Sequence, residues 1–241
     1  MRAGDLLGRF RALPVATAEA VVGTRFAVLA PHPDDESLGC GGLIAAACAA
    51  GHPPPVIILT DGAASHPGSA AYPPARLAAV RAGEARSAVR ALGLPDGRLS
   101  LLGLPDSAAP HEAVGVEAAA GAVAERAAGC DTLLVSWRHD PHCDHLAAYL
   151  IARRAAARLG ARLLEYPVWG WTLPEGEVLP DAAWRGWRVD IAPWLAAKHR
   201  AVAAHRSQHG AVVCDDPDGF VLPAAFLALF SCPWETLVEA A

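Results

Sequence analysis

The strongest constraint on this chain is an alternation of two kinds of segment. Short apolar runs at 25–30, 56–60, 99–102, 132–136 and 162–166 are separated by longer Ala-rich stretches of helical period at 37–50, 74–92, 112–128 and 144–159. Gly51-His52-Pro53-Pro54-Pro55 punctuates the chain before the second run, and a loop rich in Gly, Ser and Pro leads into the second helix. Strands that alternate with helices predict an α/β fold with a mostly parallel open sheet and helices on both faces. Four Trp residues break the rhythm between 167 and 190, a last helix is expected at 193–207, and 208–241 reads as an irregular tail. One domain is expected over 1–241, with its core at about 25–207.

With 241 residues, 53% of them apolar, such a domain has a sizeable core. The net charge of -5 and the lack of any Lys/Arg run argue against a nucleic-acid partner. The first residues lack an apolar stretch of signal-peptide type, and nothing later reaches the ~18 apolar residues of a membrane span, so a cytoplasmic protein is expected. The six cysteines form no CxxC pair and read as small hydrophobes of a reduced protein. The sequence leaves the oligomeric state open, homo-oligomers included.

Two clusters carry the chemistry. Pro31-His32-Pro33-Asp34-Asp35-Glu36 stands where the first strand candidate ends and its helix begins. Trp137-Arg138-His139-Asp140-Pro141-His142-Cys143-Asp144-His145 follows the fourth. In open α/β sheets, ligands bind beyond the carboxyl ends of the strands where strand order reverses, and in the order 3-2-1-4-5 strands 1 and 4 flank that crevice. His32, Asp34 and Asp35 then face His142 and His145, an inventory of N/O ligands suited to a catalytic zinc with one exchangeable position. Taken alone, each cluster has a plainer reading: acidic residues cap helix N-termini, and His-rich loops are often polar surface turns. A dinucleotide site is disfavoured, because Gly39-Cys40-Gly41-Gly42 is not GxGxxG and three carboxylates occupy the place of a pyrophosphate.

The two motifs resemble those of the PIG-L/LmbE-like zinc-dependent N-deacetylases. Softer matches lie around Arg81 and Glu84, Leu104-Pro105-Asp106, Glu165 to Trp169 and Ala204 to Gln208, so the resemblance spans nearly the whole Rossmann-like domain. It implies that His32, Asp35 and His145 bind Zn2+, that Asp34 is the general base, and that His142 stabilises the oxyanion or acts as general acid. Cys143 stands where the family usually has Pro; it could compete as a soft ligand, but its side chain is expected to point away from those of its neighbours, which leaves the ligand spacing intact.

In the mechanism expected from these residues, Asp34 takes a proton from a zinc-activated water that attacks an acetyl carbonyl. Asp144, beside His142, would keep that imidazole charged. The expected partner is a small N-acetylated sugar conjugate of N-acetylglucosamine type. Trp169, with Trp171, Trp184 and Trp187, offers faces for a sugar or packs in the core. By resemblance Arg81 and Asp106 contact substrate hydroxyls and His205 borders the site; His205 and His209 lie four apart, a spacing that would put them on one helix face. The alternatives are a zinc hydrolase of another amide or ester, and a non-catalytic small-molecule binding module.

Overall fold

Every residue of the segment Phe26–Ala30 is buried, and its side chains leave the chain on alternate sides. Phe26 and Val28 join one apolar cluster, Ala27 and Leu29 another, so this strand is sandwiched between two layers. The computed structural model, which describes residues 1–180 and 183–240, builds those layers from α1 (Ala3–Arg11), β1 (Val15–Ala16), α2 (Ala18–Val22), β2 (Phe26–Ala30), α3 (Asp35–Ala49), β3 (Val56–Thr60), α4 (Pro74–Ala91), β4 (Leu99–Leu104), α5 (Ala113–Arg126), β5 (Thr132–Ser136), α6 (Cys143–Leu159), β6 (Arg162–Tyr166), β7 (Trp184–Asp190), α7 (Leu195–Ala204), α8 (Ala224–Ala228) and β8 (Trp234–Ala240). On one face Leu43 of α3, Val89 of α4 and Ala201 of α7 pack on the sheet; on the other, Val123 of α5 and Ile151 of α6 do.

The eight strands form one mixed sheet in the order β1-β7-β8-β6-β5-β2-β3-β4. β2 pairs in parallel with β3 on one side and β5 on the other, while β3–β4 and β5–β6 are parallel as well. The alternating strands thus take the expected 3-2-1-4-5 order, and the chain reverses its direction of travel between β2 and β5. Among the described residues no helix is long and apolar enough to cross a membrane.

The sheet is wider than the sequence reading foresaw. β7 and β8 lie in stretches expected to be irregular, and they pair antiparallel over seven residue pairs, β8 also meeting β6 at Glu165 and Val238. Both strands mix charged residues with apolar ones, and β7 carries Gly186, so neither offers the continuous apolar run of the parallel strands. The last helix also ends earlier than expected, at Ala204. At the N-terminus, α1 sets Phe10 edge-on against Trp137, Trp171 and Trp184.

The glycines of α3 find their purpose in packing. A Cβ on Gly39 would land inside the Tyr166 ring, whose hydroxyl donates to Leu29 O at 2.9 Å, and one on Gly42 would come to 2.5 Å from Ile191 Cβ. Glu235 of β8 reaches the same helix, accepting from Gly42 N at 2.8 Å, Leu43 N at 2.9 Å and the buried Lys198 Nζ at 2.8 Å. Alanine at position 39 would gain about 1 kcal/mol of helix propensity. With the added Cβ only 2.1 Å from a ring atom and the ring pinned at its far end, it would lose about 2–3 kcal/mol, the upper part of the overpacking range. Gly39→Ala is therefore expected to lower stability by about 1–2 kcal/mol net in denaturant titration; an unchanged or raised midpoint would show that α3 has room to retreat.

Candidate metal centre

The loop after β2 is fastened before it reaches the site. Pro31 O accepts from both Thr60 N and Thr60 Oγ1, which ties the loop to the end of β3. Asp34 then adopts φ 146°, ψ -30°, a region that side-chain-bearing residues rarely enter. Several bonds hold it there. Arg81 Nη2 donates to Pro33 O at 2.7 Å and to Asp34 Oδ2 at 3.0 Å, Arg81 Nη1 donates to Gly62 O, and Asp34 N donates to Glu36 Oε2 at 3.0 Å. Strain that its surroundings over-determine in this way points to a functional position. Asp34 stands at the N-cap of α3, yet its side chain caps no helical N–H. The plain capping interpretation therefore fails for it.

Asp35 opens α3 and turns back toward the loop. Its Oδ2 accepts from His32 N at 3.0 Å and lies 3.2 Å from both His32 Nδ1 and His145 Nε2. His145 comes from the first turn of α6 after β5, so the two distant motifs meet across the β2–β5 junction. Asp140 accepts from Val168 N and Gly170 N, and its Oδ2 lies 2.8 Å from His145 Nδ1. That contact makes Nδ1 a donor and leaves Nε2 buried, without a hydrogen-bond partner, facing a carboxylate, a position that calls for either a proton or a bound cation.

Such an arrangement calls for positive charge. Burial alone would raise the Asp35 carboxyl, but the facing His145 and His32 rings hold it well below the usual carboxylate range. Burial alone would lower the His145 imidazole, and Asp35 and Asp140 lift it to about 9. His32 behaves alike, with burial opposed by Asp106, Asp144 and Asp35. The donor set is the N/O type that zinc takes, and a cation there would satisfy the orphaned Nε2, so the residues fit a metal. Ring nitrogens of His32, His142 and His145 lie within 4.8 Å of one another, as do donor atoms of His32, Asp106 and Asp144.

Four expectations change in detail. Asp144 does not hold His142 charged: its Oδ2 lies 3.1 Å from His32 Nε2 and accepts from Ser107 N, while Oδ1 accepts from Ala109 N. His142 Nδ1 instead accepts from Asp144 N at 3.2 Å, which leaves a neutral ring with Nε2–H free to donate, and burial together with the His32 and His145 rings lowers its pKa. Arg81 is spent on the protein itself, as described above. His205 and His209 do not share a helix face: His205, buried, sits 3.3 Å from Glu36 Oε1 and Ser37 Oγ, and His209 Nε2 lies 3.1 Å from Val202 O. Cys143, exposed, does gather with His142 and Asp144 within 4.8 Å, so its side chain is not turned away from its neighbours.

Above these groups lies a cavity of about 230 Å³, lined by His32, Asp34, Asp35, Asp106 and His142 on one side and by Leu38, Trp169, Phe220 and Leu222 on another. Trp169 thus borders the site. Trp171 and Trp184 pack against Phe10, and Trp187 joins the core. Sequence reasoning missed Asp140, Glu36 and the 220–222 wall. Asp140 was legible as a carboxylate within the His-rich loop; nothing in the tail marked Phe220.

The PIG-L family, described as GlcNAc-PI de-N-acetylase, matches residues 27–156, more than half of the chain and the whole of both motifs. No curated protein matches the chain. Among solved structures, the A40926 pseudoaglycone deacetylase Dbv21 is similar with a TM-score of 0.66 at 22% identity, over 90% of this chain and 97% of that one. N,N'-diacetylchitobiose deacetylase from Pyrococcus horikoshii gives 0.59 at 20% identity, over 79% and 72%. The conserved protein TT1542 from Thermus thermophilus gives 0.57 at 27% identity, over 78% and 81%. These likenesses are of fold; the family match, with both motifs inside it, places the chain in the PIG-L family of de-N-acetylases.

Proposed function

We propose that this protein is a zinc-dependent hydrolase that removes the N-acetyl group from an amino-sugar conjugate, with His32, Asp35 and His145 as metal ligands. The observation that carries the reading is the orphaned His145 Nε2 set against Asp35, beside a strained Asp34 at the floor of a cavity. Family membership supports the acetamide as the bond attacked. Zinc held there supplies Lewis acidity, polarising an acetyl carbonyl and making water acidic enough to lose a proton near neutral pH.

The remaining work falls to the chain's own side chains. Burial raises the Asp34 carboxyl to about 6, with Arg81 opposing, so its carboxylate is a base matched to neutral conditions. Arg81 acts as a positioning residue, fixing the Oδ2 that it touches and leaving the other oxygen to receive the water's proton. His142 donates its Nε2–H to the oxyanion as the carbonyl carbon becomes tetrahedral. The C–N bond then breaks, the nitrogen gains the proton taken from water, and acetate and a primary amine leave. Asp106 on the cavity wall accepts from a sugar hydroxyl, and Trp169 contributes apolar surface.

Purified protein loaded with zinc is expected to release acetate from a panel of N-acetylated amino sugars and to stop when chelated. Asp34→Asn should keep stoichiometric zinc while losing about 10²–10⁴-fold in kcat, the usual worth of a general base. His145→Ala should lose the metal. Near-normal turnover by Asp34→Asn would remove the base assignment, and zinc retained by His145→Ala would remove the ligand assignment.

Asp140→Asn keeps an acceptor for Val168 N and Gly170 N but no longer holds a charged partner against His145 Nδ1. Zinc affinity, measured by competition with a chromophoric chelator, is expected to fall about 10–100-fold. An unchanged affinity would mean that Asp140 serves only the backbone.

A further inference from the structure

The cavity above the metal centre has two chemically opposite walls, and the outer one says what kind of substituent the substrate carries. Trp169 stacks on Phe226 with ring centroids 4.2 Å apart and planes at 17°, and Phe220 meets the same indole edge-on at 5.6 Å. Phe220 is nevertheless 41% exposed and Val221 beside it 38% exposed. Exposed aromatic surface is costly to leave wet, and here it is held rather than free to fold inward. Phe220 N donates to Ser65 O at 2.7 Å and Leu222 N to Gln208 O at 2.8 Å, while Asp215 and Asp216 accept from Ala71 N and Gly68 N. The segment is thereby fastened to the loop after β3 with its aromatic side chain at the mouth.

The charge along the cavity is mostly negative: the carboxylates of Asp34, Asp35 and Asp106 line it, against a single guanidinium. Arg81, the guanidinium that lines the cavity, is committed to Gly62 O, Pro33 O and Asp34, and its Nε is sealed from solvent. Among the residues that line the cavity, a phosphate would therefore meet three carboxylates and no uncommitted Lys or Arg. At about 230 Å³ the cavity is also smaller than the ~300–1,000 Å³ that encloses a drug-sized ligand, so a conjugate must extend past Phe220.

Resting on the deacetylase reading, we infer that the substrate is an N-acetylamino sugar bearing an uncharged aryl or alkyl aglycone, gripped by Trp169, Phe220 and Leu222, and that phosphate-linked sugars are rejected. The acetamide end is held by the polar wall, and the apolar substituent lies along the aromatic one.

The test titrates phenyl N-acetylglucosaminide, N-acetylglucosamine and N-acetylglucosamine 1-phosphate into the zinc-loaded Asp34→Asn protein by calorimetry, and follows acetate release from each with the unsubstituted enzyme. The phenyl glycoside is expected to bind about tenfold more tightly than the bare sugar, and the phosphate more weakly than either. Phe220→Ala in the same background should shrink the first ratio to about threefold or less. Equal affinities, tighter binding of the phosphate, or equal acetate-release efficiency on all three would overturn the inference while leaving the hydrolase reading intact. The expected affinity order without acetate release from any of them would support the aromatic subsite and count against hydrolysis.

Discussion

Carboxylates and imidazoles are expensive to take out of water unless each finds an opposite charge or a hydrogen bond, and this fold buries a whole group of them side by side. His32, Asp34, Asp35, Asp140, Asp144 and His145 are all under 10% exposed. What makes this tolerable is the junction of β2 and β5, where two parallel strands deliver their following loops to one place. Each imidazole there is bracketed by carboxylates, His145 by Asp35 and Asp140, His32 by Asp35 and Asp144. A bound cation would complete the balance, which would link metal affinity to the stability of this corner.

The second half of the chain serves that corner from a distance. The turn after β6 places Val168 N and Gly170 N on Asp140, which orients His145, and the same turn swings Trp169 over the cavity. β8 sends Glu235 under α3, the helix that starts with Asp35, and Lys198 of α7 neutralises it. Segment 211–223 then closes the remaining side with Phe220 and Leu222. The parallel half supplies the chemistry, and the later elements supply its orientation and its selectivity.

The parallel half was legible because its physics is local. Strands such as Val56–Thr60 and Thr132–Ser136 are buried on both faces and so read as unbroken apolar runs, and the 3-2-1-4-5 order then brought His32 and His145 together. β7 and β8 were not legible, because antiparallel strands in which Arg185 and Glu239 alternate with apolar neighbours resemble loop composition. The part played by Asp144 was misjudged for a related reason: its carboxylate is taken by Ser107 and Ala109, which lie 37 and 35 residues away, and adjacency to His142 in sequence said nothing of that. Arg81 and His205 read in the sequence as substrate contacts, but both are buried and turned inward, toward Asp34 and Glu36.

Two imidazoles and one carboxylate from the two distant loops are proposed to form an open zinc site, and zinc-edge X-ray absorption on the purified protein would read its ligands. One zinc per chain is expected, with only nitrogen and oxygen scatterers at about 2.0–2.2 Å, two of them imidazole, and a coordination shell that changes when acetate is added. A sulfur scatterer at about 2.3 Å would bring Cys143 into the shell and contradict the assigned ligands; a closed shell indifferent to acetate would make the metal structural.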